Sequence, residues 1–366
     1  MRVAVVLEQC WHRVPGGTAL AALRQVRAIA AACQIEPVGV APRHSGPPPE
    51  PWRPSIPVRR LGLPRPLLYE TWHRMRWPRV ERATGPVDII HATGYAVPPR
   101  TCPLVVTLHD LAWRRDPTHF TSRGVRFFEA GLRRTRDDAD LVLCPSLATL
   151  DDCIAADIEP ERLRQVPWGI AADRASDEAV QAVRARYGLA GRYVLFVGTL
   201  EPRKNLRTLL EAMRRLPRAD VVLAVAGAAG WGPDALHETD PALRDRVMPL
   251  GFVQPSDLAP LNRGAAVVCY PSLWEGYGLP VAEALAQGTP VVTSQGTATE
   301  ELVVGGAGIA VDPRDPDAIA SALAEVLDDP NRAASLGEAA LARAAERTWE
   351  TTAKLTVEAY ETVLRR

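Results

Sequence analysis

The stretch that most restricts the fold is residues 269–293, together with the apolar run that leads into it. An apolar run from Ala265 to Tyr270 reads as a buried strand and stops at Pro271. A glycine-rich loop follows, where Gly276 and Gly278 are expected to take backbone conformations closed to other residues. Pro280 stands where a first helical turn would begin, a position whose N–H has no partner anyway. The helix then runs to Gly288 as its C-cap, and Pro290 opens a second apolar strand. Strand, glycine turn, helix, strand is the repeating unit of an α/β protein.

Two carboxylates mark this unit. Glu275 lies in the loop and Glu283 about one turn into the helix, with seven residues between them. Unpaired N–H groups around Gly278 and Leu279 make a ready anion site. A carboxylate beside a bound phosphate would be repelled, so hydroxyl groups are its natural partners. An anion together with hydroxyls suggests a nucleotide sugar. The bland alternative is an ordinary strand–turn–helix with solvated glutamates.

The chain has 366 residues, enough for two domains. No early segment joins a basic start, an apolar core and a small-residue cleavage site, and no apolar run reaches membrane-spanning length. The expectation is therefore a cytoplasmic protein. Six scattered Cys, at 10, 33, 102, 144, 153 and 269, with no C-x-x-C pair, read as free thiols and give no metal site. Basic and acidic residues balance at 43 each, which argues against a nucleic-acid partner. The balance is uneven along the chain, because residues 1–172 hold 23 Arg against 17 Asp and Glu. Lysine is rare, occurring only at 204 and 354, so Lys204 stands out.

The first half opens with an apolar run, Val3 to Leu7, a loop carrying Gly16-Gly17, and a helical pattern through Leu20, Leu23, Val26 and Ile29. Nine prolines between residues 41 and 66 predict a loop or edge connection. Residues 67–77 predict a helix with Leu68, Trp72 and Met75 on one face and Arg74, Arg76, Arg79 and Arg82 around it. That pattern suits either packing on the core or contact with a membrane surface. Asp88–His91 and Pro103–Asp110 read as buried strands ending in polar clusters, where open α/β sheets bind ligands. His109 is the stronger functional candidate and His91 the weaker. Ser146 is expected to cap a helix, and Val166–Ile170 reads as the last strand of this half.

The second half restarts at Tyr193–Val197, followed by Gly198-Thr199 and Arg203-Lys204-Asn205 leading into a helix. A glycine turn after a buried strand, with adjacent cations, suits a diphosphate. Arg203 can fork onto two oxygens while Lys204 supplies a point charge. A solvated basic pair would be poorly placed against a helix N-terminus. Further strands are expected at Val221–Ala226, Met248–Val253 and Gly306–Val311, and helices at 315–327, 331–345 and 349–364.

Glu275-Gly-Tyr-Gly-Leu-Pro-Val-Ala-Glu283, with Gly198 to Asn205 and Thr107-Leu-His-Asp-Leu111, resembles the retaining glycosyltransferases of family 4, group 1. The resemblance covers nearly the whole chain and is more specific in the second half. It implies the α/β GT-B fold, two facing Rossmann-like domains with parallel sheets and a cleft between them. The first would be an acceptor-side domain, residues 1–172, completed by the final helix at about 349–366. The second, residues 173–348, would bind the nucleotide sugar.

The same likeness implies which residues act. His109, Arg203, Lys204 and Glu275 would be catalytic, with His109 at the donor sugar, the cations on the diphosphate and Glu275 on sugar hydroxyls. Donor contacts would come from Gly16, Gly17, Gly198 and Thr199, and from Phe252 and Val253 at the base. Gly276, Tyr277, Gly278 and Leu279 would lie on the phosphates, and Glu283 on the ribose. Many relatives carry Arg where Thr199 stands, which leaves Arg203 as the second cation.

The implied reaction transfers a hexosyl group from a nucleoside-diphosphate sugar, GDP-mannose by family likeness, to a glycan or lipid-linked acceptor. Configuration would be retained, no cofactor or metal is required, and cell-surface polysaccharide or glycolipid synthesis is the expected setting. Peripheral contact with the inner face of the membrane through the first domain is a further expectation. The rival readings are a non-catalytic nucleotide-sugar-binding partner and another GT-B enzyme, such as a sugar-nucleotide epimerase.

Overall fold

A computed structural model of the chain describes residues 1–12, 15–32, 34–171, 173–231, 235–237 and 240–365. Val14, at the start of the first glycine loop, and Cys33 lie outside the described residues. The chain divides into two compact units, Met1–Gly169 with Trp349–Arg366, and Ile170–Thr348.

The first unit holds a seven-stranded sheet. Its strands are β1 (Arg2–Val6), β2 (Glu36–Ala41), β3 (Val58–Arg60), β4 (Ile89–Ala92), β5 (Leu104–Thr107), β6 (Leu141–Cys144) and β7 (Leu163–Gln165), in the order β3-β2-β1-β4-β5-β6-β7. Every pairing is parallel. The central strands are short runs of branched apolar residues because both sheet faces are covered. Ala4, Val6, Ile90 and Val106 point into one core cluster, and their neighbours Val3, Val5, Ile89 and Val105 into the other. The second cluster is closed by the helices Gly16–Ala32 and Trp349–Leu364, the latter through Ala353, Tyr360 and Val363.

His91 belongs to this packing. Its Nδ1 shares a 2.7 Å hydrogen bond with the Tyr360 hydroxyl and its Nε2 a 2.8 Å bond with the Thr107 hydroxyl. Burial, with His109 nearby, pushes its pKa down to about 3, so the ring is neutral and fully engaged. The weaker histidine candidate is structural.

The second unit holds a six-stranded parallel sheet. Its strands are β8 (Arg192–Val197), β9 (Val221–Ala226), β10 (Val247–Gly251), β11 (Val267–Tyr270), β12 (Val291–Ser294) and β13 (Ile309–Val311), in the order β10-β9-β8-β11-β12-β13. Its pairings are likewise parallel. Leu209, Met213, Ile319 and Leu323, from the helices Leu206–Arg215 and Pro316–Asp328, pack on one face against Val194, Phe196, Leu223 and Val267.

Caps set the helix boundaries. The Ser146 hydroxyl accepts from the Thr149 N–H at 3.0 Å and starts Leu147–Ala155. Gly288 ends Leu279–Gln287 in the left-handed conformation, φ 71°.

The structure corrects three expectations. The last strand of the first unit is Leu163–Gln165, not Val166–Ile170. The Val166 N–H still bonds Cys144, but Pro167 has no N–H to continue the ladder. Met75 is exposed rather than aligned with the buried Leu68 and Trp72. The helix Arg65–Glu70 passes into a π-helical turn at Thr71–Met75, and the wider turn rotates Met75 off the apolar stripe. Of the two loop glycines, only Gly278 takes a positive φ, 98°. The proline-rich segment does contribute an edge strand, β3. Among the described residues no helix is long and apolar enough to cross a membrane.

Candidate functional site

In a parallel sheet with this connectivity the ligand crevice opens at the carboxyl ends of the two strands where the winding reverses. That point falls between β8 and β11 in the second unit and between β1 and β4 in the first.

At the second unit's reversal point, β8 leads to Gly198 and Thr199, then to a short turn, Pro202–Lys204. Asn205 stands left-handed at φ 59° and ties the turn down, its Nδ2 donating to the carbonyls of Pro271 and Pro313 at 3.0 and 2.6 Å. β11 ends at Tyr270 and leads to Glu275. The two segments meet on one carboxylate oxygen. Glu275 Oε1 accepts from Lys204 Nζ at 2.6 Å and from the Tyr270 hydroxyl at 3.0 Å, and Arg203 Nη1 lies 3.0 Å away. Lys204 Nζ also bonds the Tyr270 hydroxyl. Arg203 is fixed further by the Trp274 carbonyl at 2.7 Å and the Glu201 carboxylate at 2.7 Å.

These charges are nearly buried: the side chains of Arg203, Lys204 and Glu275 are 16%, 12% and 9% exposed. Burial pushes the Glu275 carboxyl upward, but Arg203 and Lys204 outweigh it and hold the pKa at about 2. Burial and the neighbouring Arg203 lower the Lys204 ammonium, against the pull of Glu275 and Glu201. Two cations and two carboxylates thus form a preorganised cluster.

Glycines permit the close approach. A Cβ on Gly198 would lie 3.7 Å from the Lys204 side-chain carbons, so the lysine stem rests on this turn. A Cβ on Gly227 would collide with the Gly198 carbonyl, which explains a glycine after β9.

The helix Leu279–Gln287 begins beside Glu275, with Gly278 as N-cap and Pro280 in its first turn. Leu279 is its first residue and Glu283 sits half-buried one turn in. The Tyr277 side chain is buried against Arg347, and burial raises its phenol. Phe252 is exposed and Val253 buried in the loop after β10, two strands from β8.

In the first unit, β1 leads to Glu8 and Gln9, β4 to Thr93 and β5 to His109. His109 Nε2 donates to the Thr93 carbonyl at 2.8 Å, while Nδ1 is buried without a hydrogen-bond partner. Burial lowers the ring's pKa against the Thr93 bond and Asp110, so His109 is a neutral imidazole with an unused acceptor. Its ring meets Trp168 edge-on at 5.3 Å. Gln9 Nε2 donates to the Thr93 hydroxyl at 2.7 Å, tying the ends of β1 and β4 together. Gly16, at φ 64°, and Gly17 open the helix Gly16–Ala32 and are exposed.

The second unit brings Gly198, Thr199, Arg203, Lys204, Glu275 and the start of the helix Leu279–Gln287 to its reversal point but leaves Phe252 and Val253 two strands away, and in the first unit His109 lies one strand from the reversal point, at the end of β5. Tyr270 and Glu201 in the second unit, and Gln9 and Thr93 in the first, were not singled out from sequence. Their place at or just beyond the carboxyl ends of apolar strands was the available signal. Among the described residues no group of three His, Cys, Asp or Glu is placed to hold a metal ion.

Comparison with known proteins agrees with this geometry. Residues 184–343 match the family described as Glycosyl transferases group 1, and residues 15–174 that described as Glycosyltransferase Family 4. O-antigen chain mannosyltransferase B of Escherichia coli is 33% identical over 311 residues, 81% of each chain. The chain belongs to the group 1, family 4 glycosyltransferases. MMP alpha-(1->4)-mannosyltransferase of Mycolicibacterium hassiacum is 29% identical over 330 residues, 83% of this glycosyltransferase and 77% of that protein. Anabaena HepE, solved in complex with UDP and glucose, matches with a TM-score of 0.76 at 21% identity. The match covers 99% of this glycosyltransferase and 100% of that chain, and the shared fold is GT-B.

Proposed function

We propose that this glycosyltransferase moves a hexosyl residue from a nucleoside-diphosphate sugar to a hydroxyl of a glycan or lipid-linked acceptor, with retention of configuration. Mannose is the favoured sugar and GDP the favoured carrier, because mannosyltransferases stand among its relatives. The observation that carries the reading is the Arg203–Lys204–Glu275 cluster beside the Gly278 helix N-terminus.

The clamp divides the work. Arg203 and Lys204 neutralise the departing diphosphate, where charge grows in the transition state. Glu275 stays ionised and can only accept hydrogen bonds, which suits sugar hydroxyls. Glu283 takes the ribose, and His109 orients the sugar, the role that the family likeness implies for it. The anomeric carbon–oxygen bond to the diphosphate breaks and a bond to the acceptor oxygen forms on the same face. The acceptor proton passes to the leaving diphosphate. No protein nucleophile and no metal is required, since the two cations carry the charge. The second unit then serves the donor and the first the acceptor.

Cell-surface polysaccharide or glycolipid synthesis at the inner face of the membrane is the proposed setting. Exposed Leu67, Met75 and Trp77 beside Arg79 and Arg82 form the proposed membrane-contact surface.

A thermal-shift series with GDP, UDP, dTDP and ADP tests the reading. Saturation at a hundred times the Kd stabilises the folded state by about 2.7 kcal/mol, so one nucleotide, GDP, should stand out. The matching nucleotide sugar should then be hydrolysed slowly. A shift without hydrolysis or transfer from any donor would favour a binding-only protein, and no shift with any nucleotide would overturn the proposal.

A further inference from the structure

The first unit contains a second concavity that the donor clamp does not use. A cavity of about 1230 Å³ opens between the segment Arg65–Met75 and the helix Ser122–Asp138, wholly within this unit. Six arginines line it against a single carboxylate, Glu70. Two are neutralised locally, Arg74 by Glu70 at 2.9 Å and Arg134 by Asp137 at 3.0 Å. Arg65, Arg123, Arg126 and Arg133 form no ion pair among the described residues, whereas surface arginines elsewhere commonly do, as in Arg100–Asp140 and Arg114–Glu129. Four guanidinium groups without an ion-pair partner, of which Arg133 feels only the more distant Glu129 carboxylate, repel one another around one hollow and focus a positive potential into it.

The floor has a different chemistry. The rings of Tyr69 and Phe127 stack at 4.9 Å, and His73 lies over Phe127 at 5.4 Å, making an apolar platform. His73 Nε2 donates to the Tyr95 carbonyl at 2.9 Å, and burial lowers its pKa, so it adds no charge. At the edge, His12 Nε2 lies 3.0 Å from the buried Glu8 carboxylate and 3.4 Å from the Tyr69 hydroxyl, a group suited to sugar hydroxyls. Ligand pockets ordinarily enclose about 300–1,000 Å³, so this one has room for more than a monosaccharide.

We propose that this cavity binds a glycosyl phosphate or diphosphate. The anionic group engages the unpaired arginines, which suit phosphate oxygens bidentately, and the sugar lies on the Tyr69–Phe127 platform. Its role as the acceptor site rests on the transferase reading above; the binding itself does not.

Calorimetric titration of the full chain tests this. The probes are a short-chain alkyl diphosphate-linked hexose, the same alkyl hexoside without phosphate, and vesicles of phosphatidylcholine with or without phosphatidylglycerol. The diphosphate glycoside should bind at least about tenfold more tightly than the uncharged hexoside, the scale of one charge-assisted contact. R126E/R133E should abolish that preference, and its unfolding midpoint should match the parent because both side chains are exposed. Should the charge reversal unfold the protein, Arg126→Gln with Arg133→Gln gives the same reading. K204A should leave the preference intact. Binding that survives loss of both arginines, or disappears with K204A instead, would overturn the assignment by placing the anion in the donor clamp. Attraction to anionic vesicles without affinity for the soluble diphosphate glycoside would overturn it too, as a membrane-surface effect. Cavity binding in a protein that turns over no nucleotide sugar would refute the transferase reading and leave the site standing.

Discussion

The two units solve opposite electrostatic problems with the same sheet architecture. In the second, Arg203 and Lys204 lie nearly buried and carry their counter-ions with them, Glu275 and Glu201. In the first, the buried histidine one strand from the reversal point is neutral, and the positive charge stands without ion-pair partners around an open hollow. Burial accounts for the difference. A desolvated cation without a partner is very costly, so a buried site for an anion needs internal carboxylates. An exposed arginine remains hydrated and can wait for its anion without one. The clamp is therefore charge-balanced before any ligand arrives, while the basic hollow leaves its charge to be neutralised by whatever enters.

Breaking the clamp gives the largest expected effect. On the proposed function, Lys204→Ala removes a cation from the leaving diphosphate, and loss of one such group ordinarily lowers kcat by about 10²–10³-fold. Activity at saturating donor, measured beside the unfolding midpoint, separates this from destabilisation. A variant that keeps parental kcat would show that Lys204 is only the structural partner of Glu275. The same degree of loss is not expected from any single arginine of the first unit's hollow, where several share the charge.

Glu275→Gln probes the other half of the cluster. Gln retains the shape but leaves Arg203 and Lys204 short of a counter-charge. Breaking a buried pair costs about 3 kcal/mol at the lower end, the relevant end here because both cations keep some solvent access. Acid sensitivity should change as well. The Glu275 pKa falls from 4.5 to about 2 on folding, so its stabilisation is complete above 4.5 and is lost as pH drops toward 2. Urea titrations at several acidic pH values should show the parent losing stability across that window and the Gln variant losing less. Equal slopes would mean that Glu275 is not ionised in the cluster.

What could be read from sequence follows the range of the interactions. The strands were legible as short apolar runs because both sheet faces are covered, so period-two alternation is absent and hydrophobicity alone marks them. β7 was misplaced because Leu163-Arg-Gln165 is a polar edge strand lying beside the more apolar Val166–Ile170. The π-helical turn at Thr71–Met75 leaves no trace in a 3.6-residue pattern, so Met75 was put on the wrong face. Arg203-Lys204 and Glu275 stood out because each lies in a compact motif. Tyr270 passed for a core residue although its hydroxyl completes the cluster. The hollow escaped notice for a different reason. Arg65, Arg123, Arg126 and Arg133 come from two separated segments, and only tertiary packing brings them around one space.

The smallest expected effect separates the two histidines of the first sheet. His91 is held on both ring nitrogens, whereas His109 keeps an unused acceptor. Tyr360→Phe preserves the ring that packs from the final helix but removes the hydroxyl bonded to His91 Nδ1. The buried nitrogen then lacks a partner, a change worth about 1 kcal/mol or somewhat more. Equilibrium urea unfolding should register that loss, while kcat should stay at the parental value because His91 faces the sheet packing and not the crevice. A fall in kcat with unchanged stability would reverse the assignment. It would mean that the final helix, through Tyr360, tunes the imidazole pair behind the first unit's reversal point rather than merely closing the core beneath it.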